Sequence, residues 1–128
     1  MGLSIAELIK QARSQVSVVD MDTASDMHDK GVCFIDVREP SEYNKCAVKG
    51  AVNIPRGVIE FATMEGGLLE DKNRELVVYC QCGGRAALAA VSLKRMGFEN
   101  VHALNPGFYD WKKQGRHVEK NYEFPKRS

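Results

Sequence analysis

Residues 76–85 read Leu76-Val77-Val78-Tyr79-Cys80-Gln81-Cys82-Gly83-Gly84-Arg85, and an alanine-rich segment, 86–91, follows them. A short apolar run rich in β-branched and aromatic residues is typical of a buried strand. The two glycines allow a sharp turn, and the alanines predict a helix directly after it. This stretch therefore predicts a strand, a loop and a helix, with a thiol at the carboxyl end of the strand.

The predicted position of Cys80 favours chemistry at its sulfur. In an open α/β sheet, ligands bind in the crevice beyond the carboxyl ends of the strands. The first turn of a helix leaves backbone N–H groups without partners and carries the positive end of the helix dipole. A thiol above those donors is expected to exist partly as thiolate, and an anion bonded to it would be held by the same groups. The alternative is an inert core thiol, which would need neither the glycine turn nor the helix start.

Composition narrows the class of protein. The chain has 128 residues, 44% of them hydrophobic and 27% charged, which predicts one globular domain. A net charge of +1 gives no basic excess for nucleic acid or a membrane surface, and no apolar run is long enough to span a bilayer. The start of the chain lacks the pattern of a secretion signal. Four cysteines, at positions 33, 46, 80 and 82, are too sparse for a disulfide scaffold, so we expect a reducing, cytoplasmic compartment.

The rest of the chain alternates helical and strand patterns. Apolar residues at positions 5, 8, 9 and 12 predict an N-terminal helix, which Ser4 and Glu7 would cap. Short strands are predicted near 17–19, 32–38, 51–55 and 100–104, with helical segments between them. This alternation predicts an α/β fold with a mainly parallel sheet. We predict a helical extension at 1–16, the α/β domain at 17–115 and a charged tail at 116–128.

Four segments in order resemble a known family. The loop Cys80-Gln81-Cys82-Gly83-Gly84-Arg85-Ala86, after Val-Val-Tyr, is similar to the active-site loop of single-domain rhodaneses. The segments 35–43 and 50–55 resemble the family's Asp-Val-Arg-x-Pro-x-Glu-Tyr motif and the strand after it. Gly97-Phe98-Glu99-Asn100-Val101, followed by Pro106-Gly107 and Trp111, resembles its closing motif. Three positions depart from the family pattern: Cys46-Ala47-Val48 replaces Gly-His-Ile, Pro106-Gly107 replaces Gly-Gly, and Cys82 replaces Ser or Thr.

The resemblance implies a rhodanese-like fold, a parallel sheet with helices on both faces, and sulfurtransferase activity. Cys80 would attack the outer sulfur of a small anionic donor such as thiosulfate and become a persulfide. Cyanide or a cellular thiol would then take the sulfur, by double displacement. Backbone N–H groups of residues 81–85, which are Gln81, Cys82, Gly83, Gly84 and Arg85, would hold the terminal sulfur, and Arg85 would steady the anion. No metal or organic cofactor is implied.

Three further residues have two interpretations each. Asp36 and Arg38 could be accessory site residues, or they could pair with each other and with Glu42, which we favour because charges at strand ends commonly satisfy backbone groups. Cys82 could be a small residue in a Ser position or a second thiol that resolves an oxidised Cys80. A metal site is not expected, since no further Cys or His pair has ligand spacing.

Two other functions are alternatives to a sulfurtransferase that acts on its own. Phosphatases and arsenate reductases of the related Cys–loop–Arg type have one more residue between Cys and Arg. Here four residues, 81–84, separate Cys80 from Arg85, which favours the smaller sulfur atom over a tetrahedral oxyanion. The other candidate is a non-catalytic interaction or sulfur-carrier module that a sulfur-relay protein loads.

Overall fold

The alternating pattern produces a five-stranded parallel sheet in the computed structural model, which describes residues 2–120. The strand order is β1-β6-β5-β2-β4. In chain order the elements are α1 (Ile5–Gln15), β1 (Ser17–Val19), α2 (Met21–Asp29), β2 (Cys33–Asp36), α3 (Pro40–Lys45), β3 (Ala47–Val48), β4 (Val52–Asn53), a 3-10 helix (Arg56–Thr63), β5 (Leu76–Tyr79), α4 (Gly84–Arg95), β6 (Val101–Leu104), α5 (Phe108–Lys113) and β7 (Val118–Glu119).

The strand β5 is the centre of the sheet and is buried on both faces. Leu76, Val78 and Cys80 pack on one face, in a core to which α4 contributes its alanines. Val77 and Tyr79 pack on the other face, with residues of α2 and α5. Both faces are therefore covered by helices, which confirms the predicted fold class.

The register of the sheet brings the ends of two strands level. Asp36 of β2 pairs with Tyr79 of β5, so the residues after both strands emerge at the same edge. Cys80 and Arg38 lie at this edge, where α4 also begins. The topology thus places the predicted loop at the carboxyl ends of the central strands.

The helix α1 is docked on the domain. The predicted capping box is present, with the Ser4 hydroxyl accepting from the Glu7 N–H and the Glu7 carboxylate accepting from the Ser4 N–H. The helix packs against α4, and Lys94 Nζ donates to the Gln15 carbonyl at 3.0 Å. No helix between residues 2 and 120 combines the length and apolar character needed to cross a bilayer.

The structure also contains a second sheet of two strands, which the sequence did not predict. The strand β3 pairs antiparallel with β7, and the Glu119 carboxylate accepts from the Gly50 N–H at 2.9 Å. Residues 118–119 of the predicted tail at 116–128 therefore belong to the fold, whereas 121–128 lie outside the described residues. Strands of two residues carry no alternation that a sequence pattern can show. The helical segment that the sequence predicts after the strand near 51–55 is the 3-10 helix Arg56–Thr63.

Candidate active site

The sulfur of Cys80 lies above the start of α4. Gly83, the residue before the helix, has φ of +106°, a left-handed conformation that glycine adopts without strain. This turn directs its N–H back to Cys80 Sγ at 3.1 Å, and the Ala86 N–H reaches the same atom at 3.3 Å. Cys80 is only 1% exposed. Cys80 Sγ therefore accepts from two backbone N–H groups of the turn that begins α4.

The carbonyl side of the loop is held by α5. The N–H of Phe108 donates to the Cys80 carbonyl at 2.9 Å, and that of Tyr109 donates to the Gln81 carbonyl at 3.3 Å. A Cβ on Gly107 would lie 2.5 Å from both of these carbonyl oxygens, so only glycine allows this approach. The loop is therefore fixed through its carbonyls on one side and through Sγ on the other.

Asp36 and Arg38 form a buried ion pair behind the loop. The Asp36 carboxylate accepts from Arg38 Nη2 at 2.8 Å and from the Tyr79 hydroxyl at 2.7 Å. Arg38 Nη2 also donates to the Cys46 carbonyl at 2.7 Å. Burial and the neighbouring Asp36 raise the pKa of Tyr79, which keeps its hydroxyl a donor. The two charged residues pair with each other, as favoured from the sequence, and Arg38 touches the loop through the Gln81 side-chain oxygen at 3.4 Å.

Arg85 borders the cavity that contains Cys80 and forms an ion pair with Glu42. Its guanidinium donates to both carboxylate oxygens of Glu42, at 2.8 and 3.1 Å. The hydrogen bond from Arg85 lowers the pKa of Glu42 to about 2, and the hydrogen bond to Glu42 raises the pKa of Arg85. The charge that was expected to steady a bound anion is compensated within the protein. Glu42 likewise pairs with Arg85 and not with the Asp36–Arg38 pair.

Two cavities lie beside the loop. One, of about 660 Å³, lies between α1 and the loop and is lined by Cys80, Gln81, Cys82, Gly84 and Arg85 on the loop side. The other, of about 780 Å³, is lined by Arg38 and by three lysines, Lys45, Lys112 and Lys113. Gln81 borders both cavities. Of these two cavities, Cys80 borders the one between α1 and the loop.

Among residues 2–120, no hydrogen bond joins Cys80 Sγ to another cysteine. Cys82 is exposed, Cys33 is half-buried and Cys46 is buried, and all four cysteines are free. Within the described range, no three side chains among His, Cys, Asp and Glu are arranged to hold a metal ion.

Residues 20–114 match the family described as "Rhodanese-like domain". This chain belongs to the rhodanese-like family. The match contains every element from α2 to α5, together with the Cys80 loop.

Similar proteins of this family are named for sulfur chemistry. The chain is 30% identical over 108 residues to the thiosulfate:glutathione sulfurtransferase of Saccharomyces cerevisiae, covering 77% of this chain and 78% of that protein. It is 36% identical over 83 residues to YrkF of Bacillus subtilis, whose name describes a sulfur carrier; 65% of this chain is covered, but only 43% of YrkF. These relatives support sulfur transfer in general as the chemistry of the rhodanese-like chain.

Solved structures share the fold. RPA3614 of Rhodopseudomonas palustris, described as a protein of unknown function and a possible tyrosine phosphatase, has a TM-score of 0.82 and 26% identity, covering 93% of this chain and 96% of that one. The human single-domain sulfurtransferase TSTD1 has a TM-score of 0.71 and 23% identity, covering 76% of this chain and 96% of that one. At that identity the second likeness shows the fold alone.

Sequence reasoning missed three contributors to this rhodanese-like site. The N–H of Ala86 lies one residue beyond the predicted donors 81–85, although the unpaired N–H groups of a first helical turn were the signal for it. Glu42 stands in the family motif at 35–43, but its partner Arg85 could not be read from spacing. Arg13 of α1 also lines the cavity that contains Cys80, and no local pattern connects it with the loop.

Proposed function

We propose that this rhodanese-like protein transfers a sulfane sulfur from thiosulfate, or a related anionic donor, by way of a persulfide on Cys80. The thiolate of Cys80 attacks the outer sulfur of thiosulfate and forms a new S–S bond. The S–S bond of thiosulfate breaks, and its electron pair leaves with sulfite. The observation that carries this proposal is the pair of N–H groups, from Gly83 and Ala86, directed at Cys80 Sγ, because such donors stabilise the attacking thiolate.

The second half of the reaction regenerates Cys80. Cyanide, or the thiolate of a cellular thiol, attacks the terminal sulfur of the persulfide and leaves with it as thiocyanate or as a new persulfide. The electron pair of the broken S–S bond returns to Cys80. The name of the yeast thiosulfate:glutathione sulfurtransferase supports a thiol as the acceptor in cells, and two successive displacements predict ping-pong kinetics.

Thiocyanate formation tests the proposal. Wild-type protein with thiosulfate and cyanide is expected to form thiocyanate, and Cys80→Ser is expected to form none because serine cannot hold a sulfane sulfur. Cys33→Ser is the matched control, since Cys33 is a half-buried thiol of the same sheet that borders neither cavity beside the loop. Equal turnover by the wild type and the Cys80 variant would contradict the proposal.

A sulfur-carrier role is the alternative that the name of YrkF supports. In that role Cys80 would accept sulfur from a sulfur-relay protein such as a cysteine desulfurase, and not from thiosulfate. Persulfide loading of Cys80 by a desulfurase, with no loading by thiosulfate, would decide for the carrier. The chain spans less than half of YrkF, so the activity of that whole protein is no guide to this one.

A phosphatase or arsenate reductase of the Cys–loop–Arg type is the remaining alternative, and the description of RPA3614 as a possible tyrosine phosphatase supports the phosphatase. Two observations weigh against it. Four residues separate Cys80 from Arg85, and the guanidinium of Arg85 is bound to Glu42. Turnover of an aryl phosphate without thiocyanate formation would favour the phosphatase.

We also propose that the protein works in a reducing compartment such as the cytoplasm. Support comes from the four cysteines, all of which are free thiols in the folded chain. Sulfur transfer through a thiolate needs that state.

A further inference from the structure

The helix α1 brings a guanidinium to the Cys80 loop. A Cβ on Gly83 would lie 2.8 Å from Arg13 Nη2, and a Cβ on Gly84 would lie 2.8 Å from Ile9 Cδ1. Gly83 is the residue whose N–H holds Cys80 Sγ. We call the N–H groups of Gly83 and Ala86, which donate to Cys80 Sγ, the sulfur cradle. The side chain of Arg13 therefore lies against one of the two residues of this cradle.

The cavity between α1 and the loop contains both Arg13 and Cys80. Its α1 side is formed by Ile5, Ala6, Ile9 and Arg13. Three of these four residues are apolar, so Arg13 is the charged group that α1 contributes. A guanidinium beside an apolar wall is screened less by water than one on an open surface.

Two arginines border this cavity, and only one is compensated. Arg85 is bound to Glu42 through two hydrogen bonds. Arg13 takes part in none of the five ion pairs found in residues 2–120. Arg13 is therefore the arginine of this cavity that has no ion-pair partner among the described residues, and it lies outside the predicted loop and outside the family match at 20–114.

We propose that Arg13 binds the anionic end of the sulfur donor, so that α1 completes the donor site. This inference rests on the proposed function. When the outer sulfur of thiosulfate meets Cys80 Sγ, its three sulfonate oxygens remain in the cavity. The planar fork of donors of a guanidinium suits such oxygens, and the same contact stabilises the sulfite that leaves with the electron pair.

The proposal assigns Arg13 to one half of the reaction. Sulfite has left before the acceptor attacks the persulfide, so the oxyanion that Arg13 binds is absent from the second half. In ping-pong kinetics, kcat/KM for the donor reports the first half, and kcat/KM for the acceptor reports the second. A role in donor binding and a general role in folding therefore give different kinetics.

The test compares Arg13→Gln and Arg13→Lys with wild type, with thiosulfate as donor and cyanide as acceptor. We expect Arg13→Gln to lower kcat/KM for thiosulfate by about tenfold or more, the effect of one lost charge-assisted hydrogen bond. Its kcat/KM for cyanide should stay within about twofold of wild type. Arg13→Lys should recover part of the loss. Lys10→Gln is the matched control, because it removes the same charge from an exposed position of α1.

Three results would overturn the role of Arg13: an unchanged kcat/KM for thiosulfate in Arg13→Gln, an equal loss in both halves, or an equal loss in Lys10→Gln. A wild type that forms no thiocyanate would contradict the proposed function instead. Arg13 is then tested by binding alone. Thiosulfate should raise the Tm of wild type at lower concentrations than it raises that of Arg13→Gln, and equal titrations would overturn the inference.

Discussion

The two sides of the Cys80 loop use charge in opposite ways. On the side of β2 and α3, Asp36 pairs with Arg38 and Glu42 pairs with Arg85. On the side of α1, Arg13 lies against Gly83 without an ion-pair partner in the described part of the chain. Charges that compensate each other hold the loop in place, whereas an uncompensated charge beside a cavity remains available to a ligand.

The ion pairs on the β2–α3 side position the loop, whereas Arg13 on the α1 side is available to bind a ligand. A buried ion pair contributes little net stability, but removing one partner leaves the other buried and uncompensated. Substitutions on the β2–α3 side should therefore appear mainly as lost stability. Substitutions where α1 meets the loop should also lower sulfur transfer.

The largest effect is expected for Arg38→Leu. It leaves the Asp36 carboxylate, which is completely buried, without its counter-charge, and we expect a loss of about 3–5 kcal/mol in the free energy of unfolding. Urea denaturation measures this. The control is Arg116→Leu, whose partner Asp22 is 90% exposed, and which should cost less than about 1 kcal/mol. Similar losses in both variants would contradict the role given to the buried pair.

The next effect is expected for Gly83→Ala, at the contact of α1 with the loop. Alanine at this position would have to adopt the left-handed φ of +106°. Its Cβ would lie 2.8 Å from Arg13 Nη2 and 2.9 Å from the Pro106 carbonyl oxygen. We expect a loss of about 2–3 kcal/mol in stability and of about 100-fold in thiocyanate formation, because the N–H that holds Sγ is displaced.

Gly50→Ala is the control for Gly83→Ala. Gly50 has φ of +80° with nothing within 4 Å of its added Cβ, so it tests backbone strain alone. It should lose about 1–2 kcal/mol and no activity. If both variants lost activity equally, the cradle at Gly83 would not be specific to the reaction.

A smaller effect is expected for Glu42→Gln, which removes the charge that pairs with Arg85 on the β2–α3 side. Both side chains of the pair with Arg85 are about one-third exposed, so at pH 7 the variant should lose less than about 1 kcal/mol. The pKa of Glu42 is lowered from 4.5 to about 2. The pair therefore stabilises the fold fully above pH 4.5, and its contribution is lost as the pH falls towards 2.

Urea denaturation of wild type and Glu42→Gln across this pH range measures the contribution of the pair. The difference in stability between the two proteins should shrink as the pH falls. Glu65→Gln, at an exposed position, is the control and should show no such change. A difference that stays constant down to pH 2 would contradict the assigned cause of the low pKa.

The smallest effect is expected for Cys82→Ser. The Cys82 side chain is exposed, and serine preserves the backbone N–H of the loop, so turnover should stay within about twofold of wild type. Peroxide inactivation should also be unchanged. A variant that recovers less well from peroxide than wild type would show that Cys82 resolves an oxidised Cys80.

Sequence reasoning was strongest where structure is local. The β-branched run of β5 and the glycine turn before α4 predicted the strand, the loop and the position of Cys80 above helix N–H groups. The pairing of β3 with β7 was missed, because each strand has two residues and pairs only through tertiary structure.

The charges of the site were the part that sequence spacing could not assign. The choice of Glu42 as the partner of Arg85, and the approach of Arg13 to Gly83, join segments far apart in the chain. Which arginine has an ion-pair partner depends on the packing of α1 against α4 and on the position of Glu42 in α3. The sequence predicts a cation at the loop, Arg85, whereas its pairing with Glu42 and the approach of Arg13 are visible only in the folded chain.

The central claim is that Cys80 carries a sulfane sulfur, and the mass of the intact protein tests it most directly. After incubation with thiosulfate and removal of excess donor, wild type should gain the mass of one sulfur atom, and cyanide should remove it. Cys80→Ser should gain nothing under the same conditions. An unchanged wild-type mass, or an equal gain in the Cys80→Ser variant, would contradict the account.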